Sequence, residues 1–304
     1  MDEYTITIED ITDIGIRIDK YLAEILPEKS RSYYQKAIDS GFVLVNGKQV
    51  KSKYQTKLGD EILVTIEPVK EIDIVPENIP IDILYEDEDV IVVNKPKGMV
   101  VHPAPGHYSG TLVNALMYHC KDSLSGINGE IRPGIVHRID MNTTGSLLVC
   151  KNDKAHNDIA SQIKVHSINR IYHGIVVGNF KESEGTIDAP IGRNLKDRKK
   201  MAITPNGREA ITHFTVLEQY KGYSYVQFKL ETGRTHQIRV HMAHLNHPLL
   251  GDDVYGKAKS GLQGQTLHAM TLGFIQPTTR EYIEVDAPLP VYFQDLLTKY
   301  RNMT

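Results

Sequence analysis

Gly134-Ile-Val-His-Arg-Ile-Asp140-Met-Asn-Thr-Thr-Gly145-Ser-Leu-Leu-Val-Cys-Lys151 is the stretch that decides the fold, because it sets one carboxylate between two apolar runs. Apolar residues at 135–139 predict a β-strand before Asp140, and residues 147–150 predict a second strand after it. Turn-forming residues fill positions 142–145. A polar loop between two buried strands is a common place for functional residues. The local pattern leaves a second interpretation open, in which Asp140 only caps the turn through its own backbone.

Composition favours a globular protein with two domains. A chain of 304 residues with 40% hydrophobic content is long enough for one large domain and one small one. We expect neither a membrane span nor a signal peptide, because no apolar run reaches about 18 residues and no charged-then-apolar leader is present. The expected compartment is the cytoplasm. Cys120 and Cys150 lie far apart, which fits a reducing compartment and excludes a disulfide framework or a thiolate zinc site.

The net charge of −3 argues superficially against a nucleic-acid partner. Its distribution argues the other way. Residues 15–57 contain nine Lys or Arg against four Asp or Glu, and residues 190–240 contain ten against four. Residues 66–90, between them, contain one against nine. Such blocks can be ordinary solvated faces, or they can be two basic surfaces that bind phosphate.

The first basic block has the pattern of a small α+β domain. Apolar spacing predicts a helix over 17–26, and Ser30 can cap a second helix that runs to Ile38. Residues 42–50 predict a hairpin around the Asn46-Gly47 turn. This helix-helix-hairpin unit resembles the S4 RNA-binding domain from Arg17 to about Ile66. The resemblance implies contacts to RNA phosphates, which set affinity and position, by Arg31, Lys36, Lys48, Lys51 and Lys53.

A proline-containing acidic segment follows and predicts a domain boundary. We predict four parts: an N-terminal strand or tail at 1–14, the S4-like domain at 15–72, a linker at 73–80 and a catalytic domain at 81–304. Strands outnumber helices in the last part and are often adjacent in sequence, which favours antiparallel pairing.

Four segments of the large domain match one family. His137-Arg-Ile-Asp140, followed by Thr144-Gly145, resembles the catalytic segment of the large-ribosomal-RNA type of pseudouridine synthase, which usually has Leu and Ser where this chain has Ile139 and Thr144. Three more segments match in the expected order, at 94–103, 230–241 and 267–269. The resemblance implies an α+β fold with a central mixed, largely antiparallel sheet.

The same resemblance implies that the protein isomerises uridine to pseudouridine without a cofactor. Asp140 would be the nucleophile, Arg239 its neighbouring cation, and Tyr172 would pack against the uracil and could act as a base. A carboxylate that works in a site closed to water needs such a cation. Arg138 would fill the space left by an extruded uridine. The implied substrate-binding residues are His137, Arg138, Thr144, Gly145, Arg234, His236 and Gln237.

We expect RNA, most plausibly ribosomal RNA, as the partner and a monomer as the state of the protein. A basic loop at 192–207 is expected to be mobile until RNA arrives, and its Lys199 and Lys200 are expected to contact RNA backbone. Two other function classes stay open. A non-catalytic RNA-binding or ribosome-assembly factor would not need the catalytic set, and a glycosidase would need a second positioned carboxylate.

The hydrolase class also includes a metal-dependent hydrolase of a phosphodiester bond. Two of the histidines lie three residues apart on a predicted helix running from Thr235 to about Leu245, and they could share a metal. No His-Glu-x-x-His motif is present, and the family implies no metal. The candidate ligands for such a site are His236, His241, His244, His247, Asp252 and Asp253.

Overall fold

The chain forms two compact units in the computed structural model, one of residues 1–71 and the other of residues 72–304. Each unit has its own hydrophobic core. The structure describes residues 2–27, 29, 31–66, 74–104, 106–121, 123–127, 133–198, 200–256 and 261–303.

The first unit combines two helices with an antiparallel sheet. Helix α1 covers Ile18–Ile25 and α2 covers Arg31–Asp39. The strands are β1 (Asp2–Thr7), β2 (Val43–Val45), β3 (Lys48–Gln49) and β4 (Glu61–Ile66), in the spatial order β1-β4-β2-β3. Apolar residues of both helices and of the sheet share one core.

The predicted helix-helix-hairpin order is confirmed. Asn46 and Gly47 both have positive φ, 51° and 72°, as a two-residue hairpin turn of the right twist requires. The N-terminal strand is part of this unit, since β1 pairs along its whole length with β4 and covers that edge of the sheet. Ser30, the expected cap of α2, lies outside the described residues.

The second unit is built on a large sheet of nine strands among the described residues, in the order β5-β6-β7-β14-β8-β13-β12-β9, with β15 paired to β14. Two further strands, β10 and β11, form a separate ribbon. The strands are β5 (Asp82–Glu86), β6 (Val90–Lys95), β7 (Thr144–Cys150), β8 (Asn169–Val177), β9 (Glu184–Asp188), β10 (Ile191–Arg193), β11 (Met201–Ile203), β12 (Ile211–Tyr220), β13 (Tyr223–Leu230), β14 (Leu267–Ile275) and β15 (Tyr282–Asp286). The helices are α3 (Leu112–Cys120), α4 (Asp153–Lys164), α5 (Gln237–His244) and α6 (Val291–Arg301).

The expected mixed, largely antiparallel sheet is confirmed. Among the described strands, β7 and β14 form the one parallel pair, through Thr144 beside His268 and Gly145 beside Ala269. The two strands diverge after this short contact. The free edge of β7 beyond it is then available to the chain that precedes Asp140.

The expectation of a strand at 135–139 is wrong. Only Ile135 makes a β-bridge, to Val149, and the rest of the segment is irregular. The amide of Cys150 donates to the carbonyl of Gly134, and the amide of Leu148 donates to Nε2 of His137. The segment therefore covers the edge of β7 with one backbone bridge and one side chain, which leaves it free to turn at Asp140.

Other differences from the sequence expectation are local. Helix α3, which begins with a capping box of Thr111 and Asn114, was not predicted. The basic loop at 192–207 is in part the antiparallel ribbon β10-β11, so it is more ordered than expected. Helix α5 starts after His236, which has a left-handed φ of 57°, and Thr235 makes no cap.

Gly145 sets how closely β7 and β14 approach. Its φ is 104°, and a Cβ atom there would lie 2.2 Å from the carbonyl oxygen of Ala269. We expect Gly145→Ala to lower the free energy of unfolding of the second unit by about 2–4 kcal/mol, because it adds backbone strain to overpacking. Urea denaturation, followed by hydrogen exchange at the amides of β7, measures this.

Gly222→Ala is the matched control. Gly222 has a φ of 80°, but a Cβ there would meet open space. It should cost only about 1 kcal/mol. Equal losses in the two variants would show that close packing at β14 is not what requires glycine at position 145.

Candidate active site

Asp140 and Arg239 meet although 98 residues separate them in the sequence. Asp140 ends the irregular segment before β7, and Arg239 lies in the first turn of α5. Nη1 of Arg239 donates to Oδ2 of Asp140 at 2.9 Å. The side chain of Asp140 is 20% exposed while that of Arg239 is 6% exposed. The predicted cation is therefore present, and the carboxylate still faces an opening.

Arg239 is fixed by a second carboxylate. Its Nε and Nη2 donate to the two oxygens of Asp252 at 2.8 and 3.0 Å, a bidentate contact. Burial lowers the pKa of Arg239, but the hydrogen bonds and charges of Asp252 and Asp140 raise it more. Burial acts to raise the pKa of Asp252, but Arg239 and the backbone amides of Val254 and Tyr255 together lower it overall. Both groups stay charged, so the guanidinium is held in one orientation.

Tyr255 and His236 complete this side of the site. The guanidinium carbon of Arg239 lies 5.2 Å from the centroid of the Tyr255 ring. The Tyr255 hydroxyl accepts from the amide of Met201 and lies 2.8 Å from Nδ1 of His236. The other ring nitrogen, Nε2, is 3.8 Å from Oδ1 of Asp140. Burial lowers the pKa of His236, against the opposing charge of Asp140, so the ring is neutral near pH 7.

Tyr172 lies on β8 and lines the same cleft as Asp140 and Arg239. The residue is buried. Burial raises the pKa of its phenol, the charge of Arg170 lowers it, and the charge of Asp140 raises it. Because the net direction is upward from 10, the phenol is protonated at neutral pH. This environment favours a packing role for Tyr172 over that of a base.

Lys95 supports the Asp140 segment. It lies in the segment 94–103 that matches the family, but the sequence indicated no role for it. This fully buried residue ends β6, and its Nζ donates at 2.9 Å to the carbonyls of Pro96, Met99 and Met141. Burial lowers the pKa of Lys95 to about 7, while the charge of Asp140 opposes that shift. The bond to Met141 ties the residue after Asp140 to β6. The sequence signal was a lysine at the end of an apolar strand.

The cleft places two of the predicted substrate-binding arginines beside Asp140. Arg138 is exposed and Arg234 is half-buried, and both line the cleft together with His236. Arg234 is steadied by its Nε, which donates to the carbonyl of Glu209 at 2.7 Å. These three side chains are placed where a substrate could contact them.

The other predicted substrate-binding residues are occupied in the protein itself. His137 accepts from the amide of Leu148, and burial lowers its pKa to about 3. The hydroxyl of Thr144 is 2.8 Å from Nδ1 of His268. Gln237 accepts from Thr232 and Arg234 and donates to β12. With Gly145 packed on β14, these residues shape the site and leave few groups for substrate.

Sequence reasoning also missed Asp252 as the partner of Arg239. The sequence indicated Asp252 only as a candidate metal ligand, and it indicated no role for Tyr255. His241, another candidate ligand, lies 2.9 Å from the hydroxyl of Thr212 and 3.0 Å from the carbonyl of Ala189. Across the described ranges, no group of three or more His, Cys, Asp or Glu side chains is arranged to hold a metal ion.

The predicted backbone-contacting residues of the first unit are all exposed. Arg31 differs, because its Nε donates at 2.9 Å to the buried carboxylate of Asp19, which also binds Arg17. In the second unit, Lys200 lies 4.0 Å from Asp197, and Lys199 lies outside the described residues. The other four predicted residues of the first unit are Lys36, Lys48, Lys51 and Lys53.

Comparison with known proteins agrees with this geometry. The model of the RNA pseudouridylate synthase family matches residues 89–244, and the S4 domain model matches residues 16–62. The chain belongs to the RNA pseudouridylate synthase family. It is an RNA pseudouridine synthase, and the predicted enzyme class is confirmed.

Relatives in bacteria span almost the whole chain. An uncharacterised RNA pseudouridine synthase of Bacillus subtilis, YlyB, is 51% identical over 94% of each chain. The ribosomal large subunit pseudouridine synthase D of Zymomonas mobilis is 44% identical, covering 95% of this chain and 96% of its own. Among solved structures, human RNA pseudouridylate synthase domain containing 1 is 27% identical with a TM-score of 0.58, covering 78% of this chain and 98% of that protein.

Within the part of the chain that the structure describes, no helix has both the length and the apolar composition to cross a bilayer.

The Asp252 contact gives a test of how Arg239 is held. We expect Asp252→Asn to lower kcat of pseudouridine formation by at least about tenfold, because an amide leaves Arg239 without its charged bidentate partner. RNA affinity should change little, since Asp252 is buried below the cleft. Single-turnover rates and binding titrations on one RNA separate the two effects.

Asp253→Asn is the neighbouring control, because Asp253 is exposed and makes no contact with Arg239 among those found in the described residues. It should keep the wild-type rate. A wild-type rate for Asp252→Asn as well would mean that Arg239 does not need this partner.

Proposed function

We propose that this enzyme converts uridines of large-subunit ribosomal RNA to pseudouridine, with Asp140 as the nucleophile. The contact between partly exposed Asp140 and buried Arg239 is the observation that supports Asp140 as the nucleophile. The proposal for the RNA is supported by relatives named ribosomal large subunit pseudouridine synthase D in Zymomonas mobilis and Pseudomonas aeruginosa, 44% and 40% identical. Such a target places the enzyme in the cytoplasm, and we propose that it acts there as a monomer.

The reaction requires the N1–C1′ glycosidic bond to break, the uracil to turn, and a C5–C1′ bond to form. C5 loses a proton and N1 gains one, so the change is redox neutral. Asp140 suits the nucleophilic step because a carboxylate can form an adduct and leave again. Arg239 donates to Oδ2 of Asp140 and fixes its position, and the orientation of Arg239 is set by Asp252.

Tyr172 packs against the uracil while it turns. Its ring lines the cleft opposite the Asp140 segment, together with Leu230 and Leu267. Such apolar walls exclude water from an intermediate in which the glycosidic bond is broken. His236 stands 3.8 Å from Asp140 and, being neutral, can donate a hydrogen bond to substrate without competing as a cation.

Arg138 fills the gap when the uridine leaves its stack. It is the residue directly before Ile139 and Asp140, and it is exposed at the mouth of the cleft. Extrusion of a base costs a few kcal/mol, least in loops and unpaired regions. A planar guanidinium can stack on the neighbouring bases and contact phosphate, which offsets part of that cost.

Asp140→Asn should abolish pseudouridine formation, with a loss of at least about 10⁴-fold, and leave RNA affinity nearly unchanged. The amide keeps the shape of the side chain but cannot act as the nucleophile. Asp295→Asn, at an exposed position of α6, is the matched control and should be fully active. Appreciable turnover by Asp140→Asn would contradict the assignment of the nucleophile.

The RNA target is tested in cells. Pseudouridines are mapped in ribosomal RNA from a strain that lacks the gene, and from the same strain complemented with wild type or with Asp140→Asn. We expect large-subunit uridines that are modified only when the wild type is present. An unchanged ribosomal map would overturn the proposed target.

The first unit is proposed to contribute affinity and not chemistry. The catalytic set lies in residues 72–304, and Ile74 is buried in the core of that unit. The carbonyl of Val75 accepts from the side chain of Asn114. A shortened chain should therefore begin at residue 72, earlier than the boundary at 80 that the sequence suggested.

Removal of residues 1–71 should weaken RNA binding and flatten its salt dependence, by a log-log slope of about 0.7 to 0.9 per lost phosphate contact. Single-turnover rates at saturating enzyme should remain similar to those of the full chain. A folded shortened protein that binds RNA normally but cannot react would place a catalytic group in the first unit.

A further inference from the structure

A cavity of about 550 Å³ opens beside the catalytic cleft and is unusually basic. Its charged lining consists of five cations against one carboxylate, Asp140. The cations are Arg138, Lys164, Arg170, Arg208 and Arg234. Three of them, Lys164, Arg170 and Arg208, have no role in the reaction described above.

Arg170 is the unusual member of this group. It is 6% exposed, and its Nε is buried without a hydrogen-bond partner among the described residues. Nη2 donates to the carbonyl of Glu231 at 2.9 Å, but no carboxylate of the described chain forms an ion pair with it. A buried guanidinium that lacks a counter-ion is costly. Within the described part of the protein, Arg170 therefore lacks both a counter-ion and an acceptor for its Nε.

Two neighbouring arginines increase the positive potential around Arg170. The pKa of Arg234 is lowered by burial and by the charge of Arg208, and it is lowered further by the charge of Arg170. Glu209 opposes this shift. Lys164, at the end of α4, and Arg208 are exposed at the rim, so an incoming anion can reach them. The cluster has the composition of a binding site for an anion with several acceptor oxygens.

The position of the cavity identifies that anion. Asp140 and Tyr172 line one wall, so a uridine bound at Asp140 has its own backbone next to the cavity. We propose that the cavity binds a backbone phosphodiester of the RNA directly flanking the target uridine, through Arg170, Arg208 and Lys164. Arg170 presents a planar fork that matches the phosphate oxygens. This inference rests on the proposed function and adds a contact that sets the register of the RNA.

The phosphate contact is tested with a short stem-loop that carries a single loop uridine, and with the same RNA made with a neutral methylphosphonate at each flanking linkage. Arg208→Ala should bind the unmodified RNA about five- to tenfold more weakly, with a log-log salt slope lower by about 0.7. Neutralising the contacted linkage should weaken wild-type binding by a similar factor. It should cause no further loss in Arg208→Ala, because the same contact is already gone.

Arg170→Lys and Lys164→Ala extend the test. Arg170→Lys keeps the positive charge but loses the planar guanidinium. Neutralising the contacted linkage should therefore no longer weaken RNA binding by this variant. Its melting curve checks that it folds. Lys221→Ala, in the turn at the far end of β13, is the control and should show the wild-type response.

The proposal would be overturned if the methylphosphonate linkage weakened RNA binding equally in the wild type and in Arg208→Ala. Wild-type affinity of Arg208→Ala for the unmodified RNA would overturn it as well. Competition by inorganic phosphate alone, without any effect of the linkage, would also overturn it. Product formation by the wild type is scored separately. A wild type that shows the coupled loss but forms no pseudouridine would reject the proposed function and keep the phosphate site.

Discussion

The sharing of one buried guanidinium between two carboxylates is the interaction on which the site depends. Asp252 takes Nε and Nη2 of Arg239, which leaves Nη1 for Asp140. Removing one partner of such a buried pair typically costs about 3–5 kcal/mol, because the other charge stays in a dry environment. Asp252 therefore orients Arg239 through both of its oxygens. The more exposed Asp140 uses only Oδ2 in its hydrogen bond with Arg239, so Oδ1 is available for substrate in the proposed mechanism.

The fold brings these groups together from two directions. On one side, Lys95 fixes the backbone after Asp140, and His137 fixes the backbone before it to β7. On the other side, Gln237 ties the start of α5 to β12, and the left-handed His236 turns the chain into the helix. The contact between Asp140 and Arg239 closes the gap between the two sides. A shift of either side would lengthen that contact without disturbing the sheet.

Sequence predicted most of the fold, because its regular elements follow local patterns. The two helices and the hairpin of the first unit follow from apolar spacing and the Asn46-Gly47 turn. The segment at 135–139 could not be predicted, since its apolar residues are buried by packing on β7 and not by strand pairing. Helix α3 was missed because its apolar residues are clustered and give little amphipathic contrast.

Some residues of the candidate site could be named from the sequence and others could not, for a related reason. Asp140, Tyr172 and Arg239 were named because a family resemblance marks them, and the structure brings all three to one cleft. A cation beside Asp140 was expected on electrostatic grounds as well. Asp252 and Lys95 were not found, because their importance lies in partners that are distant in sequence. A buried ion pair or a lysine bound to three carbonyls has no local signature. Only the folded chain shows which carboxylate belongs to which cation.

The distribution of charge explains how a chain with a net charge of −3 can act on RNA. At the catalytic centre, Asp140 and Asp252 outweigh the single positive charge of Arg239, so this group alone would repel a polyanion. The neighbouring cavity has a net positive charge, because its lining includes Arg170, Arg208 and Lys164. Because these cations are separate from the guanidinium that contacts Asp140, a phosphate bound as proposed would not compete for Arg239. On the proposed mechanism, Asp140 would then keep its contact with Arg239 when substrate is bound.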